Sequence, residues 1–336
     1  MTLVVLGWDA LDAELLDAYE LTDAFGTAVT EIDTFDNPIL EKPHTNEVWP
    51  SIVTGRPPEE TGIRALSADE GTEWENPLVD AITDVGSSFV PDSMQQGVGR
   101  LLTNLGVERE SKTADYYDEH GLETLFDGRR SLSLAVPNYR TEADRDLGLA
   151  FDRGAQLSGY LSIEEGDDGE SHEPTVPIHR LDEVVAGQAG KKIGVVRQAV
   201  QRRYDVVFAW LGYLDTIGHI APVVEEAGYQ RRHYEQAARW TNEVATQIGE
   251  GDTLVCVSDH GLQGGDHTHA ATLASDDPEI VERVESVLDV KDVLDDAAPS
   301  RDANEPDVSE RHRYEGATAE RSATDVRDQL QDLGYL

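Results

Sequence analysis

The sequence predicts an α/β fold in which a largely parallel sheet is covered by helices on both faces. Three apolar runs rich in β-branched residues support this prediction, at 2–7 (TLVVLG), 205–211 (DVVFAWL) and 253–257 (TLVCV). They do not alternate apolar with polar residues, which is typical of strands buried on both faces. One helix is predicted just before the second strand, at 190–203, and another between the second and third strands, at 224–249. Such crossovers place the carboxyl ends of parallel strands at one edge of the sheet.

The longest predicted helix, 224–249, is amphipathic. Its expected core positions are Tyr229, Ala237, Trp240, Val244 and Ile248. An apolar face at this spacing is what a helix needs to cover a sheet. We therefore expect one α/β domain over residues 1–336.

Charge is the most unusual property of the composition. The chain has 67 acidic and 27 basic residues, a formal net charge of −40, and an apolar fraction of 39%. Arginine outnumbers lysine, and the acidic residues are spread evenly, as in proteins from cytoplasms that hold molar salt. A surface of this charge repels polyanions, so we expect no binding of nucleic-acid polymers. A small phosphorylated substrate could still bind if a cation reverses the local charge.

The remaining compositional features favour a cytoplasmic protein. The single cysteine, Cys256, lies inside a predicted strand and is interpreted as a small buried apolar residue. The amino terminus leads directly into the first strand, without a basic region or a long apolar segment, so neither a signal peptide nor a membrane span is predicted. The composition does not indicate an oligomeric state.

An Asp follows each of the three predicted strands, and a His accompanies it after the second and the third. Asp9 follows the first strand, and Asp215 and His219 follow the second, four residues apart. Asp259 and His260 follow the third. Carboxylate and imidazole groups suit Zn²⁺ or Mn²⁺, and the i,i+4 spacing lets two side chains of one helical turn meet one ion. Two alternatives involve no metal. Asp9 would cap a helix from Ala10 to Tyr19, and Asp259 and His260 would lie in a solvated loop.

The Gly-rich segment 261–269 carries two more histidines. His267 and His269 compete for one further ligand position. We favour His267 because Gly264 and Gly265 free the loop just before it. With His267, six Asp and His donors are available, which is enough for two ions with three protein side chains each.

A short helix is predicted within residues 43–64, PHTNEVWPSIVTGRPPEETGIR. Thr45 occupies the predicted N-cap, and Thr54-Gly55 ends the helix. The hydroxyl of Thr45 is either an ordinary cap or a group placed where the helix dipole stabilises an oxyanion or a phosphate. Pro50 is awkward inside so short a helix, and the sequence suggests no role for Glu47.

Residues 67–181 are irregular and rich in Asp, Glu, Gly and Pro, and are interpreted as an insertion that covers the substrate. A strand is predicted within 131–140 and a solvated loop at 164–175. His120, His172 and His179 are expected at the surface. Beyond residue 275 we expect a helix at 278–288, a mobile stretch at 297–318 and a final helix at 323–333.

Four motifs in this order resemble the alkaline phosphatase superfamily, specifically its type I phosphodiesterase/nucleotide pyrophosphatase branch. They are GWDA, then T-x-x-x-W-x-S-I-V-T-G-x-x-P-x-x-x-G-I, then L-D-x-x-G-H, and finally S-D-H-G-L with a later His. The resemblance covers residues 1–64, 188–275 and the closing Leu-Gly-Tyr. The sequence departs from the family pattern at two places. The family has Pro or small residues where this sequence has Asn46-Glu47, and it has a His where this sequence has Thr61.

The resemblance implies an alkaline-phosphatase-like three-layer sandwich with a largely parallel central sheet. It also implies a two-zinc phosphoesterase in which Thr45 is transiently phosphorylated. One ion would be held by Asp9, Asp259, His260 and the Thr45 oxygen, and the other by Asp215, His219 and His267. Mn²⁺ is the alternative metal.

Two alternative functions remain open, and two others are disfavoured. A phosphomonoesterase or phosphonate hydrolase would share the same core, and a non-catalytic binding domain would share the fold. A sulfatase is disfavoured because the nucleophile region contains no Cys. A cofactor-independent phosphoglycerate mutase is also disfavoured, because it would need a Ser nucleophile and a large inserted domain, and neither is apparent in the sequence.

Overall fold

The computed structural model describes residues 2–64, 111–149, 163–165, 172–174, 177–202, 204–224, 226–299 and 331. Within these ranges, strands β1 to β10 are Leu3–Trp8, Ala28–Asp33, Ser131–Leu134, Ile163–Glu165, His172–Pro174, Val206–Leu211, Thr253–Val257, Gly261–Gln263, Asp266–Thr268 and Ala270–Ser275. Helices α1 to α10 are Ala13–Ala18, Thr45–Thr54, Pro58–Thr61, Ala114–Glu119, Glu142–Asp146, Ile178–Ala199, Tyr213–Ile220, Tyr229–Ala245, Pro278–Arg283 and Val290–Ala297.

Six strands of the described part of the chain form the central sheet, in the order β2-β10-β7-β1-β6-β3. The four strands β7, β1, β6 and β3 are parallel, and β10 runs antiparallel to both of its neighbours. Since β1 lies between β6 and β7, the three strands predicted to end in acidic residues are adjacent. Their carboxyl ends therefore meet at one edge of the sheet, as predicted.

Side chains of each central strand alternate between two separate cores. In β1, Val4 and Leu6 pack among residues of α6, α7 and α8, whereas Leu3 and Val5 pack among residues of α2 and α10. Alternation follows from the two-residue repeat of a strand. The prediction of a largely parallel sheet with helices on both faces is confirmed, and the three layers are helix, sheet and helix.

Gly7, near the end of β1, has no room for a side chain. A Cβ atom there would lie 2.8 Å from the Trp49 ring and 3.1 Å from Phe208. We expect Gly7→Ala to destabilise the protein by about 1–3 kcal/mol, because both rings are held in a packed core. Urea unfolding in molar KCl measures this. Gly187→Ala is the matched control: the residue lies on α6, and no atom of the described residues is within 4 Å of the added Cβ, so the change should be neutral or stabilising by up to about 1 kcal/mol. An equal response of the two variants would contradict the packing explanation.

Helix α2 accommodates Pro50 through a neighbouring side chain. A proline cannot donate to the carbonyl four residues earlier, which here belongs to Asn46. Asn138 Nδ2 donates to that carbonyl instead, at 2.9 Å. The helix ends at Gly55, whose φ of 64° is the left-handed conformation of a C-cap.

Several predicted boundaries are wrong, each for a local reason. His44, not Thr45, caps α2, so Thr45 is the first helical residue. The helix expected from Ala10 begins at Ala13 and is capped by Asp12, so the alternative role of Asp9 as its cap is excluded. The helix predicted from 190 begins at Ile178, after Pro177, and the one predicted from 224 begins at Tyr229, after Gly228 in the left-handed conformation.

Other predictions are settled in part. Both ends of the predicted loop 164–175 are instead occupied by the paired strands β4 and β5. The helix predicted to reach 288 ends at Arg283. β3 confirms the strand predicted within 131–140 and forms the edge of the central sheet. Most of the proposed covering insertion, the stretch 300–318 and nearly all of the helix predicted at 323–333 lie outside the described residues. Among the described helices, none combines the length and apolar character that a membrane span requires.

Candidate active site

The predicted site residues converge at the carboxyl edge of the sheet. Asp9 follows β1, Asp259 and His260 follow β7, and α7, which begins just after β6, carries Asp215 and His219. The remaining two residues come from outside the parallel strands: Thr45 opens α2, and His267 lies on the hairpin formed by β8 and β9. The seven residues fall into two groups that meet at the stacked rings of His260 and His267, whose centroids are 3.8 Å apart.

The first group surrounds the Thr45 hydroxyl. Thr45 Oγ1 lies 3.4 Å from Asp9 Oδ1 and 3.4 Å from His260 Nε2. His260 Nε2 in turn lies 3.5 Å from Asp9 Oδ1 and 3.3 Å from Asp259 Oδ2. Asp9, Asp259 and His260 are completely buried. Four potential ligand atoms therefore face one small volume.

The second group is formed by Asp215, His219 and His267. Asp215 Oδ1 lies 3.2 Å from His219 Nε2 and 3.4 Å from His267 Nε2, and the two imidazole nitrogens are 3.0 Å apart. His260 also has a ring nitrogen within 4.8 Å of the Asp215 and His267 ligand atoms. His219 makes the shorter contacts, so we assign it, rather than His260, to this group.

Each imidazole is oriented by a backbone carbonyl. The Nδ1 atoms of His219, His260 and His267 lie 2.9, 3.0 and 2.9 Å from the carbonyl oxygens of Gly265, Gly261 and Pro43. A carbonyl can only accept, so in each ring Nδ1 carries a proton, and whenever the ring is neutral its Nε2 lone pair faces the site. This arrangement is typical of metal-binding histidines.

Burial and neighbouring charges move the site pKa values in opposite directions. Burial lowers the pKa of His260 to about 4, and burial together with the Asp215 charge raises the pKa of Asp259 to about 6. Burial also lowers the pKa of His267, but its hydrogen bond to Asp215 and the Asp215 charge outweigh burial and raise it to about 9. The same carboxylate raises the pKa of His219 against the effect of burial.

The first group has the electrostatic character of a cation site. The neutral His260 ring turns a lone pair toward carboxylate oxygens of Asp9 and Asp259, so acceptors face acceptors. No hydrogen-bond donor among the described residues reaches the buried Asp259 Oδ2. Burying such groups without a positive partner is costly. Ligand atoms about 2.05 Å from a tetrahedral Zn²⁺ are about 3.3 Å from one another, and the distances given above, from 3.0 to 3.5 Å, lie close to this value.

His269 lies outside both groups. Its Nδ1 atom pairs with Asp36 Oδ1 at 2.9 Å, and its side chain is 66% exposed. The geometry therefore favours His267 over His269.

Two conformational features and one side chain were not predicted from the sequence. Trp210, at the end of β6, donates from Nε1 to Asp9 Oδ2 at 3.1 Å. Ala10 has a φ of 63°, and its amide donates to Asp259 Oδ1 at 3.4 Å. The hairpin of β8 and β9 replaces the loop expected around His267. Only Trp210 offered a sequence signal, as an aromatic residue with a polar N–H near an acidic strand end.

Comparisons with known proteins give only remote structural similarity. No family model and no curated protein matches the chain. The PH0037 protein from Pyrococcus horikoshii is 12% identical with a TM-score of 0.40, and alkaline phosphatase from the Antarctic bacterium TAB5 is 9% identical with the same score. Both alignments cover 88% of this chain and 97% of the other.

A third similar structure is phosphonoacetate hydrolase from Sinorhizobium meliloti 1021 in complex with phosphonoacetate. It is 17% identical with a TM-score of 0.34, and the alignment covers 78% of this chain and 56% of the hydrolase. Similarity at this level carries no conclusion about activity. The activity of this chain is therefore inferred from its own residues.

Proposed function

We propose that this protein is a two-metal-ion phosphoesterase of the alkaline phosphatase superfamily, acting on phosphodiester or nucleotide pyrophosphate bonds. The observation that supports this most directly is the position of Thr45 Oγ1, 3.4 Å from both Asp9 Oδ1 and His260 Nε2. This hydroxyl lies at the start of a ten-residue helix and beside side chains that can bind a metal ion. A hydroxyl in that position is suited to nucleophilic attack on a phosphate.

The two groups of side chains would each hold one ion. Asp9, Asp259, His260 and the Thr45 oxygen would hold the first ion, and Asp215, His219 and His267 the second. Zn²⁺ is the proposed metal, and Mn²⁺ the alternative. Two bound divalent ions would lower the pKa of the nucleophile, neutralise the phosphate and stabilise the leaving oxygen.

Thr45 carries the covalent step. Its oxygen forms a bond to phosphorus while the bond from phosphorus to the leaving oxygen breaks, and the hydroxyl proton passes to solvent. Water then attacks the phosphothreonine, the bond between phosphorus and Thr45 Oγ1 breaks, and the threonine regains a proton. The amino-terminal dipole of α2 stabilises the negative charge that develops on the Thr45 oxygen.

The substrate class follows from charge. A net charge of −40 opposes the approach of a long polyanion, so we propose a small phosphorylated substrate. Hydrolysis of bis-p-nitrophenyl phosphate faster than p-nitrophenyl phosphate, in molar KCl, would support the diesterase. The reverse preference would favour the phosphomonoesterase alternative, and no turnover with metal bound would favour a binding domain.

Loss of single ligands tests the metal assignment. We expect Asp215→Ala and His267→Ala each to lower the metal content from two ions per chain toward one, since each removes a ligand from the second group only. Elemental analysis after purification in molar KCl measures the content. The matched control is His269→Ala, which removes an exposed histidine outside the site and should retain two ions. Loss of metal from the control, with retention in His267→Ala, would contradict the assignment.

Trp210 offers a subtler test of the first group. Trp210→Phe keeps a ring in place but removes the N–H that donates to Asp9 Oδ2. We expect the affinity for the first ion to fall about tenfold, because an unanchored ligand binds less tightly, and the affinity for the second ion to stay unchanged. Competition with a chromogenic zinc chelator resolves the two affinities. An unchanged first affinity would show that this hydrogen bond does not position Asp9.

A further inference from the structure

Glu47 is a buried carboxylate that the proposed chemistry does not use. It lies in the first turn of α2, two residues after Thr45, with 1% of its surface exposed. Its Oε1 accepts a hydrogen bond of 2.7 Å from Nδ2 of Asn37, which is completely buried. A buried carboxylate is retained only where partners compensate for the loss of water. Asn37 is one such partner, so the contacts of Asn37 indicate what the Glu47 carboxylate holds in place.

Asn37 organises the chain segment that leads to the site. Its Oδ1 atom accepts hydrogen bonds from the amides of Ile39 and Leu40, at 2.9 and 3.0 Å. Its backbone N–H donates to the Lys42 carbonyl at 2.9 Å, and its carbonyl accepts from Glu41 at 2.9 Å. The segment 37–42 is thus folded around one side chain, and Glu47 holds that side chain from the other end of its amide.

The same segment leads directly to a site residue. Pro43, which follows Lys42, supplies the carbonyl that accepts from His267 Nδ1 at 2.9 Å. Lys42 makes a second link, an exposed ion pair with Asp266 at 2.8 Å. A continuous set of contacts therefore runs from Glu47 through Asn37 and the 37–42 turn to the ring of His267.

We propose that Glu47 and Asn37 are positioning residues that fix the Pro43 carbonyl, and through it the direction in which His267 presents its Nε2 lone pair. This inference rests on the proposed function, because it treats His267 as a ligand of the second ion. It gives a role to the carboxylate that departs from the family pattern. Neither residue is proposed to contact the reacting atoms.

Exchanging donor and acceptor tests the proposal. Asn37→Asp keeps the oxygen that accepts from Ile39 and Leu40, but it removes the Nδ2 donor and sets two carboxylates against each other. Glu47→Gln alone keeps its acceptor oxygen. In the double variant, which combines the two substitutions, the amide introduced at position 47 can donate to the carboxylate introduced at position 37. The hydrogen bond therefore returns with its direction reversed.

We expect Asn37→Asp to weaken binding of the second ion about tenfold, within the range for loss of outer-sphere support, with the first ion unaffected. Glu47→Gln and the double variant should lie near the wild-type affinity. Zinc transfer to a chromogenic chelator in molar KCl gives both affinities, and thermal unfolding is recorded in parallel. Lys42→Ala is the matched control: it removes only the exposed ion pair, so the affinity should change by less than about twofold.

The outcomes separate this inference from the proposed function. A wild-type chain that binds fewer than two ions overturns the proposed function and the inference together. A wild-type chain with two ions, and an Asn37→Asp variant with an unchanged second affinity, overturns the inference alone. Equal weakening of both ions, or no recovery in the double variant, also overturns it, because either result indicates general destabilisation. If Asn37→Asp does not fold, Glu47→Ala removes the acceptor without opposing charges and gives the same measurement.

Discussion

Thr45→Ala is expected to lower kcat by about three orders of magnitude or more while leaving most of the bound metal in place. The size of the effect follows from the covalent route, since removing a nucleophile removes the bond-forming atom itself. The metal should remain because Asp9, Asp259 and His260 supply three ligands without the threonine. Turnover of bis-p-nitrophenyl phosphate and elemental analysis on the same sample measure the two effects.

Thr45→Ser is the matched control for this result. It keeps an oxygen in the same position at the start of α2 and should retain measurable turnover, together with a covalent phosphoenzyme that acid quenching traps. Activity of Thr45→Ala close to that of the wild type would exclude the covalent route. A loss of metal in Thr45→Ala as large as the loss of activity would instead indicate that the threonine acts mainly as a ligand.

The parallel core of the fold was predictable because its strands are buried on both faces. The runs that became β1, β6 and β7 carry no polar residue in their centres, so their pattern has one simple interpretation. The other two strands of the central sheet, β2 and β10, were missed for the opposite reason. β2 is an edge strand with a mixed pattern, AVTEID, and β10 is composed mainly of small residues, AATLAS. Neither sequence differs clearly from a loop.

Helix boundaries were predicted less well because caps depend on backbone conformation. Thr45 and His44 are both able to cap α2, and the structure uses the ring nitrogen of His44, which accepts from the Asn46 amide at 3.2 Å. The sequence favoured threonine, the commoner cap. The difference matters for function, because a threonine hydroxyl engaged as a cap would not be available beside Asp9 and His260.

That the side chains of the candidate site lie together was predictable, whereas the groups that orient them were not. Strand ends indicated Asp9, Asp215 and Asp259, because parallel strands bring such positions to one edge. The carbonyls that orient the three imidazoles belong to Gly261, Gly265 and Pro43, and a carbonyl is present at every residue. Similarly, Glu47 is visible in the sequence as a charge in a helix, but its partner Asn37 is identified only by the three-dimensional fold.

Removal of salt is expected to unfold the protein, with loss of most of its helical circular dichroism signal. The formal net charge of −40 acts over longer distances as salt is removed, because the screening length grows from about 3 Å at 1 M to about 10 Å at 0.1 M. Ion pairs compensate little, since many of those described are largely exposed, such as Arg180–Glu183 and Arg283–Asp296, and exposed pairs contribute at most about 1 kcal/mol each.

Stepwise dialysis from about 3 M KCl to dilute buffer, followed by circular dichroism, measures this effect. Sucrose at matched water activity is the control: it favours compact states without screening charge, so it should not replace KCl. NaCl should replace KCl, because screening depends on ionic strength rather than on the particular monovalent cation. A protein equally stable in dilute buffer and in molar KCl would contradict the prediction, and would mean that its acidic surface is tolerated by packing of the two cores alone.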